Sequence, residues 1–466
     1  MKLRFSLQAM LAAAILLLVA SCTKESDELL QFVPKNTKMV IVTSPLDLAK
    51  KADLQNLDLK KADAKDLEKA KNFFAGNLGV DPEKIVVFEH NKDVWAVFRI
   101  TDEAKLKAAI DAEASQTVGG FTVVEKSSDK VVINDGIGWW NSSWAVDAQK
   151  AADTVAALLK LKEDESIVAK PGFSENMEGA DVSAYINMAS IYEEAKSEVH
   201  SADFEKMPYY DLTKDASMYL SAKFEKEELV ISSRMTDKEG NNIADKIKVG
   251  KLDSSMLDFF GDKAAVVLAA NCPADMWDFL KEAVADEVGG DPMVSGIAST
   301  LFSCLEGNIA LGGTLSNVSD YYGNDYMLVM KMKPGSEKTI GSLLQASMML
   351  TPDSKGEYQF PVDSNLTVRL GFKGSYMYLT NAPVPVGNLY SSTPNAKKFS
   401  GKTGAAVVDF SSGTVLSGAL TMLAGESVSG YIYAYSETNG DNKLILHLDS
   451  KESNILTHLL KIVGRR

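Results

Sequence analysis

Three short stretches of this 466-residue chain carry the residue types of serine acyl-enzyme chemistry, in the right order: Ser127-Ser-Asp-Lys130, Ser174-Glu-Asn176 and Lys402-Thr-Gly404. That chemistry needs the serine at the start of a buried helix, with its lysine one turn on to take the hydroxyl proton. Here Ser127 falls in a polar turn between Phe121-Thr-Val-Val and Val131-Val-Ile, both of which read as strands. Lys130 is then expected to project from a hairpin into water. The geometry fails, and the set is rejected as catalytic.

Other chemistry fares no better. Ser400-Gly-Lys-Thr403 resembles the end of a phosphate-binding loop, but the glycine required at position 396 is Ala396. His90, His200, His447 and His458 are too scattered for a zinc signature. Asp237-Lys-Glu-Gly-Asn-Asn242 and Glu437-Thr-Asn-Gly-Asp-Asn442 read as turns rather than calcium loops. No catalytic, cofactor-binding or metal-ligating residue is nominated, and the chain leans away from an enzyme.

Two candidates for binding and bridging remain. Trp139-Trp140-Asn-Ser-Ser-Trp144 places three indoles on adjoining short strands, a candidate platform for sugar rings or another flat ligand. Alternation along a strand puts Trp139 and Trp140 on opposite faces, so at least one belongs in the core. Cys272 and Cys304 are the candidate disulfide, should their Cα atoms come close enough.

What must position these residues begins at the N-terminus. Lys2 and Arg4 precede the apolar run Leu11–Ala20, which is too short for a comfortable membrane span. Val19-Ala-Ser-Cys22 then reads as a lipobox: residues 1–21 are a lipoprotein signal peptide, and Cys22 is lipidated and becomes the new N-terminus. Thr23-Lys-Glu-Ser-Asp-Glu28 is polar and charged, so residues 22–32 are expected to be a flexible tether. This acidic run resembles the signals that send some Gram-negative lipoproteins to the cell surface.

Net charge is −14, and −16 once Lys2 and Arg4 leave with the leader. A body that anionic argues against nucleic acid and against docking on anionic lipid. With 45% hydrophobic residues the chain can bury real cores. The implied partners are a membrane, through the lipid on Cys22, and a glycan or a protein.

The chain also reads as duplicated. Met39-Val-Ile-Val-Thr-Ser-Pro45-Leu-Asp47 matches Ala265-Val-Val-Leu-Ala-Ala-Asn-Cys-Pro273-Ala-Asp275. Further blocks follow in one order: Trp95 onward with Tyr326 onward, Gly120 to Ala148 with Gly356 to Ala382, and Gly179 onward with Gly404 onward. The expectation is α+β: two similar halves, 33–245 and 252–466, each a mainly antiparallel sheet with helices on one face. In each half a buried strand runs into Pro and then a helix, with Asp47 or Asp275 available as its cap.

The opening from Val33-Pro-Lys-Asn-Thr37 to Pro45-Leu-Asp-Leu48 and Ala52, directly after a lipobox, resembles a family of large Gram-negative envelope lipoproteins of unknown function. The resemblance implies an outer-membrane address and no assigned activity. The expected role is a lipid-anchored envelope protein that binds or scaffolds. The alternative is an extracytoplasmic hydrolase of envelope or extracellular polymers.

Overall fold

The structure, a computed structural model, describes residues 28–57, 64–75, 77–110, 114–198, 205–287, 292–317, 323–348, 350–362 and 366–463. It is an α+β protein. Among these residues one unit holds those up to 198 together with 211–243 and 450–463, and a second holds 205–210 and 244–449.

The first unit is an antiparallel sheet of β1 (Met39–Thr43), β2 (Val80–His90), β3 (Asp93–Ile100), β4 (Ala114–Val118), β5 (Phe121–Lys126), β6 (Asp129–Asn134), β7 (Ile137–Asn141), β8 (Val182–Asn187), β9 (Ser217–Phe224) and β10 (Glu228–Thr236). Their order is β4-β5-β6-β7-β3-β2-β1-β8-β9-β10.

Tight turns set much of this register. His90 pairs with Asp93 and Asn134 with Ile137, which leaves the two-residue loops Asn91-Lys92 and Asp135-Gly136. All four loop residues have positive φ, at 55°, 68°, 47° and 74°, the requirement of a type I′ hairpin turn. Asp-Gly suits that turn, but Lys92 holds a β-carbon in the left-handed region at a cost of about 1 kcal/mol. Lys92→Gly is therefore expected to stabilise the unit by up to about 1 kcal/mol, part of the gain being offset by glycine's greater freedom in the unfolded chain. A raised thermal midpoint would show it. A lowered one would mean that the Lys92 side chain contributes more than its backbone strain costs.

The strand-to-helix corner after β1 is capped differently from expectation. Ser44, not Asp47, is the cap: its Oγ accepts the Asp47 amide at 3.3 Å, and Pro45 takes the first position of the helix Pro45–Lys51. Asp47 instead lies in the first turn and pairs with Lys50 at 3.1 Å.

Helices on one face only is not what forms. β1, β2 and β3 bury both faces of the sheet. Val40, Val42, Val86, Phe88, Trp95 and Val97 share a core with the helix Ala148–Leu158. Ile41, Ile85, Val87, Ala96 and Phe98 share another with Leu106 of the helix Glu103–Ala109. Unbroken apolar runs such as Ile85-Val-Val-Phe88 are what a strand covered on both sides requires.

The tether is also shorter than expected. Leu29 and Leu30 are 1% and 3% exposed and belong to the first core, because two leucines beside Phe32 gain more from burial than a spacer gains from solvation. Residues 1–27, with the leader and Cys22, lie outside the described residues.

The second unit is an antiparallel sheet of β11 (Val266–Asn271), β12 (Leu305–Gly313), β13 (Tyr326–Met332), β14 (Tyr358–Pro361), β15 (Thr367–Lys373), β16 (Tyr376–Thr380), β17 (Gly404–Phe410), β18 (Gly430–Ser436) and β19 (Asn442–Leu448). Their order is β14-β15-β16-β13-β12-β11-β17-β18-β19. One face, with Val267, Ala269 and Val407, packs on Met256, Phe260, Tyr390 and Phe399 from short irregular segments. The other, with Met330, Met332 and Met377, packs on Ile340 and Leu344 of the helix Ser336–Met348.

The last helix, Ile455–Val463, belongs to the first unit, although in sequence it closes the second half. Ile455 and Leu456 are buried there. Asn454 Nδ2 donates to the Phe224 carbonyl at 2.9 Å, and Thr457 Oγ1 to the Lys51 carbonyl at 3.2 Å.

Candidate functional site

The three indoles do not form one platform. Trp139 on β7 lies between Val97 and Val132, is fully buried, and meets Phe32 edge-on at 5.4 Å. Trp140, the next residue, points to the opposite face and is half-buried, its Nε1 donating to Asp129 Oδ1 at 3.2 Å. Burial pushes the Asp129 carboxyl up, and the Trp140 bond, Lys130 and Lys126 pull it down, with burial prevailing. Trp144, in the turn that follows β7, is 76% exposed. One indole is core, one is tied to a carboxylate, and one is free to meet a partner.

Cys272 and Cys304 are free thiols, not a bridge. The Cys272 amide bonds the Gly307 carbonyl at 2.8 Å, so Cys272 faces a position three residues beyond Cys304. Cys304 itself ends the helix Pro292–Cys304, before the strand that Cys272 faces. Burial pushes the Cys272 thiol up, away from a reactive thiolate.

Lys130, of the rejected serine set, does not reach water as expected. It is 6% exposed, and its ammonium donates to the Ser128 and Ser143 carbonyls at 3.0 and 3.3 Å. It is a structural tie between the β5–β6 turn and the segment after β7, with no serine hydroxyl to activate. Lys402 belongs to the second unit, where it pairs with Glu437 and lies 4.1 Å from the Tyr435 ring centre.

A site that sequence reading missed opens where the residues before β1 meet the end of β2. Asn36, Thr37, Lys38, Glu89, His90 and Asn91 line a recess of about 160 Å³. Lys38 pairs with Glu194 and, at 3.9 Å, with Glu89. Its pKa is raised, first by the Glu194 hydrogen bond and also by Glu89, against the opposing effect of burial. Burial pushes His90 below its ordinary value, which favours the neutral imidazole, and Nε2 lies 3.0 Å from Asn91 Nδ2. Thr37 is 4% exposed, and its Oγ1 has no hydrogen-bond partner among the described residues.

The recess is below the roughly 300 Å³ at which ordinary ligand pockets begin. Its lining offers a cation, one carboxylate, an imidazole and two side-chain amides, with the Thr37 hydroxyl buried behind them. That suits a small polar solute. No base is hydrogen-bonded to Thr37, so no nucleophile is activated as it stands. Nothing in the sequence spacing joins residues 36–38 to 89–91; the antiparallel pairing of β1 with β2 brings them together.

His447 stacks on Tyr431 at 4.7 Å, and His458 is buried in the last helix. His200 lies outside the described residues. Among the described residues no group of three or more His, Cys, Asp or Glu is placed to hold a metal ion, and no helix is long and apolar enough to cross a membrane.

No protein-family model matches the chain, and no curated protein matches it. Among solved structures it is similar to crystal form I of TP0453, at 14% identity and a TM-score of 0.26, over 46% of this chain and 80% of that one. It is similar to crystal form III of TP0453 at 8% identity and a TM-score of 0.23, over 76% and 93%. At such scores the likeness carries no argument about fold or role.

Proposed function

We propose that the chain is a cell-envelope lipoprotein, held at the outer membrane by lipid on Cys22, whose work is binding or scaffolding rather than catalysis. The observation that carries this is the lipobox Val19-Ala-Ser-Cys22 at the end of a leader, followed closely by a packed body. Leu29 is already core, so about six residues separate the acylated cysteine from the fold, a reach of about 20 Å at most. Two or more acyl chains suffice for stable anchoring. Trp144 and the recess at Lys38 and His90 are the places left for a glycan, protein or small polar partner.

We also infer that the body arose by duplication. In support, the order β5-β6-β7-β3-β2-β1-β8-β9-β10 is repeated position for position by β14-β15-β16-β13-β12-β11-β17-β18-β19, with β4 the extra strand.

The test is Cys22→Ser in the native envelope. The wild-type chain is expected in the membrane fraction, with an N-terminal peptide beginning at Cys22 and carrying acyl mass by mass spectrometry. The variant is expected to lose that mass. A wild-type peptide at Cys22 without lipid would overturn the anchoring.

A further inference from the structure

The helix Val415–Ala424 of the second unit breaks the rule for surface helices. Thr414 caps it, Oγ1 accepting the Ser417 amide at 3.1 Å, and Gly425 ends it at φ 73°. From Gly413 to Gly425 there is no charged residue. A surface helix ordinarily turns its polar side outward. Here Ser417 and Ala424 are the buried positions, and Val415, Met422 and Leu423 are 41%, 86% and 67% exposed. Their spacing of i, i+7 and i+8 puts all three on one stripe. Ser417 fixes this orientation by donating to the Val428 carbonyl at 2.7 Å.

We propose that this stripe docks on a lipid bilayer, its side chains entering the boundary between head groups and acyl chains. The proposal rests on the anchoring of Cys22, because size limits what the helix can hold alone. Ten residues make about 15 Å of helix. A stable complex between soluble proteins buries about 800 Å² on each partner, far more than three side chains supply. Neither a second copy nor a free protein partner is retained by this stripe. A chain already tethered to a membrane meets it at high effective concentration, where a weak contact is enough.

Charge selects the lipid. The helix has no lysine or arginine, and the chain as a whole is −14, so head-group attraction contributes nothing. The contact is with hydrocarbon, best on neutral lipid and indifferent to salt.

The chain from Thr23 onward, with an N-terminal hexahistidine tag in place of the lipid, would be held on phosphatidylcholine vesicles containing a nickel-chelating lipid. Hydrogen–deuterium exchange across 415–424 is expected to slow at least threefold on tethering. It should stay unchanged with vesicles lacking the chelator. The double variant Met422→Asp, Leu423→Asp should abolish the slowing with an unchanged thermal midpoint in solution, and Met422→Gln, Leu423→Gln should weaken it. Unchanged exchange in the tethered wild type would overturn the proposal. So would slowing without vesicles that grows with protein concentration, which would assign the stripe to a second copy. Because the tag replaces the acyl group, this readout survives a failure of native acylation at Cys22, and the two readings fall separately.

Discussion

Trp139→Ala is expected to destabilise the first unit by about 3–5 kcal/mol, the usual range for removing a large buried aromatic. Trp144→Ala, a change of the same kind five residues on, should stay within about 0.5 kcal/mol. Both are tryptophans of one short motif, and only burial separates them: none of Trp139 is exposed against 76% of Trp144. Alanine at 139 would open a cavity between Val97, Val132 and Phe32, and strands paired on both sides of β7 cannot close it without breaking register. Trp139→Phe is the discriminating variant. The buried Nε1 of Trp139 has no hydrogen-bond partner among the described residues, so phenylalanine removes an unsatisfied donor while keeping most of the volume. It should cost less than about 1.5 kcal/mol. Urea midpoints at unchanged slope would give the three values. A Trp139→Ala midpoint equal to wild type would refute the core assignment and return the indole to the list of ligand contacts.

Why this motif was only half legible follows from what alternation can and cannot say. Period two separates Trp139 from Trp140, but it does not say which face is buried, and here both faces of β7 carry packed residues. Asp129, which ties Trp140, is eleven residues upstream and reaches it only through the β6–β7 pairing. Lys130 departs from expectation for a related reason: a lysine beside a hairpin turn ordinarily faces water, and this one is 6% exposed. Its buried ammonium is satisfied by carbonyls at 128 and 143, and carbonyls carry no sequence signal.

Turns and apolar runs were the legible part. Asn91-Lys-Asp93 and Asn134-Asp-Gly136 mark hairpins through local backbone chemistry, which adjacent residues determine. The matched blocks show where local reading stops. Aligned on Pro45 and Pro273, Val40 meets Leu268, yet Val40 is buried and Leu268 is 44% exposed. The core-facing pairs are Val40 and Val42 in β1, and Val267 and Ala269 in β11. The second strand therefore runs one residue longer before its proline. A slip of one residue exchanges the faces of a strand, so a motif match good enough to suggest a repeat is still wrong about which side is core.

Asp253→Asn should destabilise the second unit by about 1 kcal/mol at neutral pH, solvent screening of the part-exposed pair reducing what the pKa shift alone implies, and the difference from wild type should vanish in acid. Asp253 Oδ2 accepts from Lys331 Nζ at 3.0 Å and from the Tyr376 hydroxyl at 2.8 Å, and Oδ1 accepts the Ser255 amide at 3.2 Å. Burial pushes its carboxyl up, but the bonds from Lys331, Tyr376 and Ser255 outweigh burial and bring it from 3.8 to about 2. Tyr376 is pushed up by burial and by Asp253, and Lys331 is raised chiefly by its hydrogen bond to Asp253. The cluster ties the segment Ser254–Phe259, which brings Met256, Leu257 and Phe259 into the core, to β13 and β16. A carboxylate whose folded pKa lies below its unfolded value contributes stability fully above the unfolded value and loses it as pH falls through the folded one. For Asp253 that window runs from about pH 5 down to about pH 2. Urea midpoints of both proteins at pH 7 and pH 2.5 are the measurement. Asparagine can keep the Ser255 bond but turns a neutral amide toward Lys331, so the loss at pH 7 reports the charge. Equal midpoints at pH 7 would show that the ammonium and hydroxyl find water as good a partner as Asp253. A gap as large at pH 2.5 as at pH 7 would place the effect in packing of the Ser254–Phe259 segment instead, because the carboxylate is then partly protonated and the charge contribution must have shrunk.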